Sequence, residues 1–406
     1  MSKRTSRTVA AVIAAATATA LAAGSAPAVA GPSSGSISIE SPPTEPGTYS
    51  RELKAVNGNG DSVSEIIVGD LAGNGPIRTY LLLWTDGALT TLPPLPGGTG
   101  GSATGINNSL TVVGTSGTQA GDHPHAARWT APTTPNTPNT PVELLPLPGD
   151  TMAAPAAIGD DGTAVGSSWD ASAKHAVAWP PNGAPVALPP LPGDTESAAV
   201  AVNSSGTAVG YSYPAGALGS PRAVIWSSDG TAAPLDPPAG FASSGATRIT
   251  DSGIVIGSGR AGGASTPDHA LVWDASGTVA DLGAASEAKA VNNAGTVVGR
   301  RGGQAARWSV DGTPVPLAPT ALTSTATGIN DQGVVVGYTS DPPPTRAQFY
   351  AQLWNPDGSL GALPPWSPDF PYATPSFVTN SGIVVGELLL RGLAYYGRPF
   401  TMRWRL

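Results

Sequence analysis

The chain has 406 residues, of which 12% are charged, with a formal net charge of −8 and no cysteine. A hydrophobic content of 40% is enough for a large core and excludes a disordered polyelectrolyte; the missing thiols exclude disulfides and lipoprotein acylation, and the acidic balance makes nucleic acid and anionic membranes poor partners. Gly 52 and Pro 42 approach a quarter of the residues, a level that implies low complexity unless the two recur with a period.

Residues 1–30 read as a secretory signal, with a basic start at Lys3, Arg4 and Arg7, an apolar run from Val9 to Ala23, and small residues at Ala28-Val29-Ala30 for cleavage. The arginines are not adjacent, which favours the general Sec route over a twin-arginine one. The run is about 15 mostly alanine residues against the ~20 of a spanning helix. Export and release without stable membrane insertion are therefore expected, with retention of the segment as an anchor the alternative. Loss of its three basic residues takes the net charge from −8 to −11. The following segment, 37–47, contains Ile37-Ser38-Ile39-Glu40-Ser41-Pro42-Pro43, whose partner becomes visible only at the far end of the chain.

Beyond it the sequence repeats. A strand ending in Val-Gly or Ile-Gly closes at Gly69, Gly114, Gly166, Gly210, Gly257, Gly299, Gly337 and Gly386, and a tryptophan follows each: Trp84, Trp129, Trp179, Trp226, Trp273, Trp308, Trp354 and Trp404. The mean spacing of these tryptophans is about 46 residues, the size of a four-stranded propeller blade. Asn107, Asn203, Asn292 and Asn330 each lie seven residues before their Val-Gly glycine. Three residues after this position stand Gly162, Gly206, Gly253, Gly295, Gly333 and Gly382, as a tight hairpin with a positive φ requires. The Val/Ile run that follows reads as a buried strand. The tryptophan strand takes forms such as HAARW, HAVAW and RAVIW. Eight or nine residues beyond it come Leu92, Leu188, Leu235, Leu282, Leu317 and Leu363, while Leu144 is displaced by the TPNTPNTP insertion, a solvated loop. Each leucine is expected to open a Pro-rich edge strand such as LPPLPG, since proline cannot donate to a ladder.

The expected fold is an all-β propeller of eight four-stranded blades. Seven blades with the first unit as a cap is the alternative, because Gly69 lies five residues too far from Asn57. The last unit stops at Leu406 without its Leu-Pro segment, so segment 37–47 is expected to pair with the final tryptophan strand and close the ring, protecting sheet edges. Taken together, GIN-x-x-G-x-VVG, HA-x-x-W and the downstream Leu-Pro segment resemble the extracellular HAF-repeat family over nearly the whole chain after residue 30. His125-Ala126-Ala127, His175-Ala176-Val177 and His269-Ala270-Leu271 stand where the family's name implies an aromatic third residue. The resemblance implies secretion and repeat architecture, and it brings no activity with it.

Each residue that invites chemistry has a structural reading beside it. The three histidines share a repeat position that also takes Tyr80, Arg222, Gln304, Tyr350 and Phe400, so packing or rim placement is expected. His123 beside His125 makes a weak pair without cysteine or an aligned carboxylate, and no metal site is expected. Asp160-Asp161, Asp251-Ser252 and Asp331-Gln332 read as hairpin turns, because they lack the alternating acids of a calcium loop. The eight register tryptophans read as inter-blade core. LPPLPG reads as structure rather than as a polyproline ligand. Trp169 and Trp366 lie outside the register, and 11 of the 24 aromatics fall between Phe349 and Trp404. Trp169, Trp366, Phe370, Tyr372, Tyr395 and Tyr396 are therefore the candidate ligand-stacking residues, with capping of the last blade as their structural alternative. No catalytic constellation and no cofactor signal is concentrated anywhere. The expected function is a non-enzymatic extracellular binding or scaffold protein, a monomer taking a carbohydrate or protein ligand. The alternatives are a secreted hydrolase or lyase acting on polysaccharide, and an adhesion or self-association module.

Overall fold

Short β-branched runs cut by glycine turns can bury both faces only as small sheets stacked on one another. The computed structural model describes residues 37–39, 48–69, 78–85, 88–117, 124–130, 139–214, 220–262, 268–320, 322–340, 348–365, 372–388 and 400–406. It shows eight four-stranded antiparallel sheets, an eight-bladed β-propeller with no helix among the described residues. The blades span residues 48–92, 100–143, 152–188, 194–234, 241–284, 286–315, 323–361 and 373–405. The first seven are meanders whose strands pair in chain order, from the axis outward. The eighth takes its outer strand from the N-terminal side: Ile37, Ser38 and Ile39 face Trp404, Arg403 and Met402. The ring is thus closed where the sequence predicts. The first unit is a full blade, which removes the seven-bladed alternative.

A bulge at the same place in every inner strand explains the Val-Gly rule. The register skips one residue between Ala103 and Gly105, Ala199 and Ala201, or Ala246 and Arg248, and likewise in each other blade. Opposite the residue before the skip lies the Val-Gly glycine, as in Ala103 with Gly114 and Ala246 with Gly257. An added Cβ would stand 2.0 Å from a facing carbonyl oxygen at Gly114, Gly210, Gly257 and Gly337. Close backbone approach therefore demands glycine. In blade 1, however, Leu53 faces Ser64, and Gly69 pairs with Thr48 at the strand's far end. The assignment of Gly69 to the repeat position is corrected: Ser64, seven residues after Asn57, holds it, and the extra five residues only lengthen the strand. Its hydroxyl meets that of Thr401 in blade 8 at 2.7 Å. The hairpin glycines take the expected conformation, with φ between 78° at Gly206 and 86° at Gly162. Blade 2 puts Leu110 there at φ 60°.

The blades are joined by one recurring seam. Every register tryptophan is at most 4% exposed. The leucine of the preceding blade shares its cluster, as Leu92 with Trp129, Leu188 with Trp226, Leu235 with Trp273 and Leu363 with Trp404. The peptide just after that leucine accepts the indole N–H: Trp129 donates to Pro93 O at 2.6 Å, Trp226 to Pro189 O at 2.7 Å, Trp354 to Ala318 O at 3.0 Å and Trp404 to Pro364 O at 3.0 Å. This corrects the reading of the Leu-Pro segment. In most blades the outer strand ends at or before the leucine, as in Ala88–Leu92, Val186–Leu188 and Ala232–Pro234, and the crossing that follows supplies the carbonyls that receive the indoles, from Pro93, Pro189 and Pro364 and also from Leu145, Asp236 and Ala318. Inner-strand serines add a second tie: Ser197, Ser244 and Ser286 accept the N–H of Ala176, Ala223 and Ala270 in the blade before. At the closing seam Arg403 stacks 4.1 Å from the Trp84 ring centre and donates to Trp84 O at 2.7 Å.

Trp226→Ala should lower unfolding free energy by about 3–5 kcal/mol in denaturant titration, since it opens a cavity and orphans Pro189 O. Gly277→Ala, at φ 85° with open space around it, should cost about 1–2 kcal/mol. Gly257→Ala should cost more than that, because Gly245 O must move to admit the new Cβ; equal melting temperatures for these two variants would contradict the bulge account.

Candidate functional site

The inner strands all end in a turn at the same end of the ring, so eight copies of one turn converge on the axis. Together they line a cavity of ≈ 350 Å³ at the mouth of the central channel, within the range of small-ligand sites. Asparagine at the first turn position does two tasks. Its Oδ1 holds its own turn, as where Asn107 accepts from Ser109 N and Thr111 N at 3.1 and 2.9 Å. Its Nδ2 reaches the next blade: Asn57 donates to Asn107 O, Asn107 to Gly159 O, Asn292 to Asn330 O and Asn330 to Thr379 O, each at 3.0 Å, and Asn203 to Thr250 O at 3.2 Å. Thr250 and Thr379 instead cap their own turns, accepting from Ile254 N and Ile383 N.

The second turn position forms an exposed polar ring. Asp160 accepts from Asn108 N at 2.8 Å and Asn108 Nδ2 at 2.6 Å. Asp331 accepts from Asn293 N and Nδ2 at 2.9 and 3.0 Å and from Asn380 Nδ2 at 2.8 Å. Asp251 accepts from Ser204 N at 2.8 Å. Burial alone would raise Asp331, but the backbone N–H of Asn293 and the amides of Asn380 and Asn293 outweigh it and hold the carboxyl below its ordinary range. Beneath the polar ring sits an apolar collar that includes Val202, Ile249, Val291 and Ile329. The mouth thus offers fixed carboxylate, amide and hydroxyl groups over an apolar floor, an arrangement that can bind hydroxyl-rich molecules.

The sequence identifies these turns as hairpins, which they are, but it does not single them out as a site. The available signal was their recurrence once per blade at the end of the inner strand. Two of the aromatic candidates, Trp169 and Tyr372, lie among the described residues, in blades 3 and 8. Trp169 ends the second strand of blade 3, half-buried, with Lys174 Nζ 5.8 Å from its ring centre. Tyr372 precedes the inner strand of blade 8 and is 8% exposed, its ring edge-on to Tyr350 and its hydroxyl donating to Gln348 Oε1 at 2.7 Å. It packs inward and presents no stacking face. Trp366, Phe370, Tyr395 and Tyr396 lie outside the described residues, as does His123. The register histidines each meet a carboxylate that sequence alignment does not reveal: His125 with Glu143 at 2.6 Å, His175 with Asp150 at 3.1 Å and His269 with Asp281 at 2.9 Å. These pairs lie toward the outer strands, and no group of three possible metal ligands occurs among the described residues.

No family description and no curated protein matches the chain. Among solved structures it is similar to the β-propeller domain of the Trilobed protease from Pyrococcus furiosus, at 10% identity and a TM-score of 0.50, covering 88% of this chain and 93% of that one. Pyrococcus horikoshii acylaminoacyl peptidase gives 13% identity and a TM-score of 0.47, over 86% of this chain and 58% of that one. Acinetobacter baumannii TolB gives 14% and 0.35, over 70% and 75%. At these identities the likeness shows the fold alone. The archaeal protease domain is described as having an open velcro topology, whereas here the strand Ile37–Ile39 closes the last blade.

Because the folded pKa of Asp331 lies below its unfolded value of about 3.9, its contribution is fully present above that value. It is lost as pH falls through the folded pKa. Melting temperature should therefore drop between about pH 5 and about pH 2, and Asp331→Asn should flatten part of that slope; an unchanged slope would show that the amide donors do not stabilise the carboxylate.

Proposed function

We propose that the protein is an exported, non-enzymatic binding module that receives a hydroxyl-rich ligand, the end of a glycan chain, in the mouth of its central channel. The observation that carries this reading is the convergence there of eight copies of one turn, five of which are tied to the next blade by an asparagine amide. Preorganised donors and acceptors bind without the entropic cost of ordering loops. The Asp331 carboxyl at the mouth is held below its ordinary range by amide donors, which suits hydrogen-bond acceptance and works against general-acid chemistry. Export rests on the character of residues 1–30, and the HAF-repeat resemblance points the same way.

The test is retention of the purified protein on immobilised polysaccharides and peptidoglycan fragments. Retention without product release is expected. Ser204→Trp, which adds bulk at an exposed position of the polar ring while leaving the Ser204 N–H bond to Asp251, should weaken retention at least tenfold with the melting temperature unchanged. New reducing ends in the eluate would favour the hydrolase or lyase, and undiminished retention by the variant would place the binding surface elsewhere.

A further inference from the structure

Charged side chains on the inner strands are few, and nearly all of them are paired. In blade 1 Lys54 meets Glu52 at 2.8 Å and Glu65 at 3.1 Å. In blade 6 Lys289 is paired with Glu287. In blade 4 Asp194 holds Arg222 at 2.7 Å. Arg248 in blade 5 is different. It stands at the bulge facing Ile256, the register position that other blades fill with small or apolar residues such as Ala55, Ala157, Ala201, Ala290 and Phe377. It makes no hydrogen bond or ion pair with any described residue. The side chain is exposed to water, and yet burial lowers its pKa. Both fit its place on the innermost strand of the blade, where a side chain along the wall of the central channel is wetted and still surrounded by protein. Its place two residues before Thr250 sets it roughly 7 Å below the mouth at the usual rise per residue.

A guanidinium so enclosed has lost part of its hydration without gaining a counter-charge, which is unfavourable for a cation. Its planar fork matches a carboxylate or phosphate. From this geometry we infer that the central channel binds an oxyanion on Arg248, so that the ligand received at the mouth carries a carboxylate or phosphate group that reaches down the axis. This deepens the glycan reading and rests on it for the identity of the rest of the ligand. The anion site itself can be tested alone.

The experiment is titration of the full chain, ¹⁵N-labelled at arginine, with sodium phosphate and separately with sodium acetate, using sodium chloride as the ionic-strength control. The Arg248 Nε–Hε resonance, assigned by its loss in Arg248→Ala, should shift saturably with at least one of the two oxyanions. The stronger response identifies the ligand group as phosphate or carboxylate. Calorimetric affinity for that anion should fall at least tenfold in Arg248→Ala and partly recover in Arg248→Lys. Alanine already occupies this position in several blades, so folding of the variant is assured by precedent within the chain. A resonance unmoved by either anion up to about 50 mM, or equal binding by Arg248→Ala, overturns the inference. Retention on neutral glycans that survives Arg248→Ala and is lost in Ser204→Trp would leave the mouth reading standing while removing the anion.

Discussion

The fold depends on the seam in which one blade's leucine and the next blade's tryptophan share a cluster while the peptide after the leucine accepts the indole N–H. A single blade of four short strands has two apolar faces and cannot bury either. Each tryptophan therefore finds its core only in a neighbour, and the hydrogen bond to Pro93, Pro189 or Pro364 fixes where in that neighbour it sits. Proline is suited to this crossing for a simple reason. It has no N–H to satisfy, so a crossing outside the ladder leaves no backbone donor orphaned at that residue.

Repeating the seam around a circle brings the inner strands together at the axis. Seven of their eight bulges have glycine opposite and blade 1 has Ser64, and their turns face the mouth. Asparagine then serves as both a local cap and a link between blades, which makes the mouth rigid without disulfides. The result is a ring of polar groups close together, paired by one another's donors. Arg248 departs from that pattern, a lone cation where the repeat otherwise places side chains without charge.

Much of this was legible in the sequence. Eight tryptophans at a period of about 46 residues, glycine turns and a missing last strand were enough to expect eight closed blades, because backbone conformation and burial leave periodic marks. Positions that depend on a strand's length or on packing across the ring were not legible. Gly69 satisfied the Val-Gly pattern although Ser64 holds the position, since a longer hairpin displaced the motif from the bulge. The Leu-Pro segment resembled an edge strand because proline's lack of a donor fits an edge and a crossing equally well. The small polar turn residues that converge at the mouth were not legible as a site, because their spacing of forty or fifty positions hides their proximity. The carboxylate partners of the histidines were hidden for the same reason: they come from neighbouring strands or crossings at varied separations.

Exchange of the indole N–H protons with deuterium, followed by NMR on the full chain, addresses the seam most directly. If the ring is one cooperative stack, the indole protons of Trp129, Trp179, Trp226, Trp273, Trp354 and Trp404 should exchange together, with protection close to that of global unfolding, and that of half-buried Trp169 far sooner. Rapid exchange of these six, or protection that differs widely from blade to blade, would contradict a ring held together by its tryptophans.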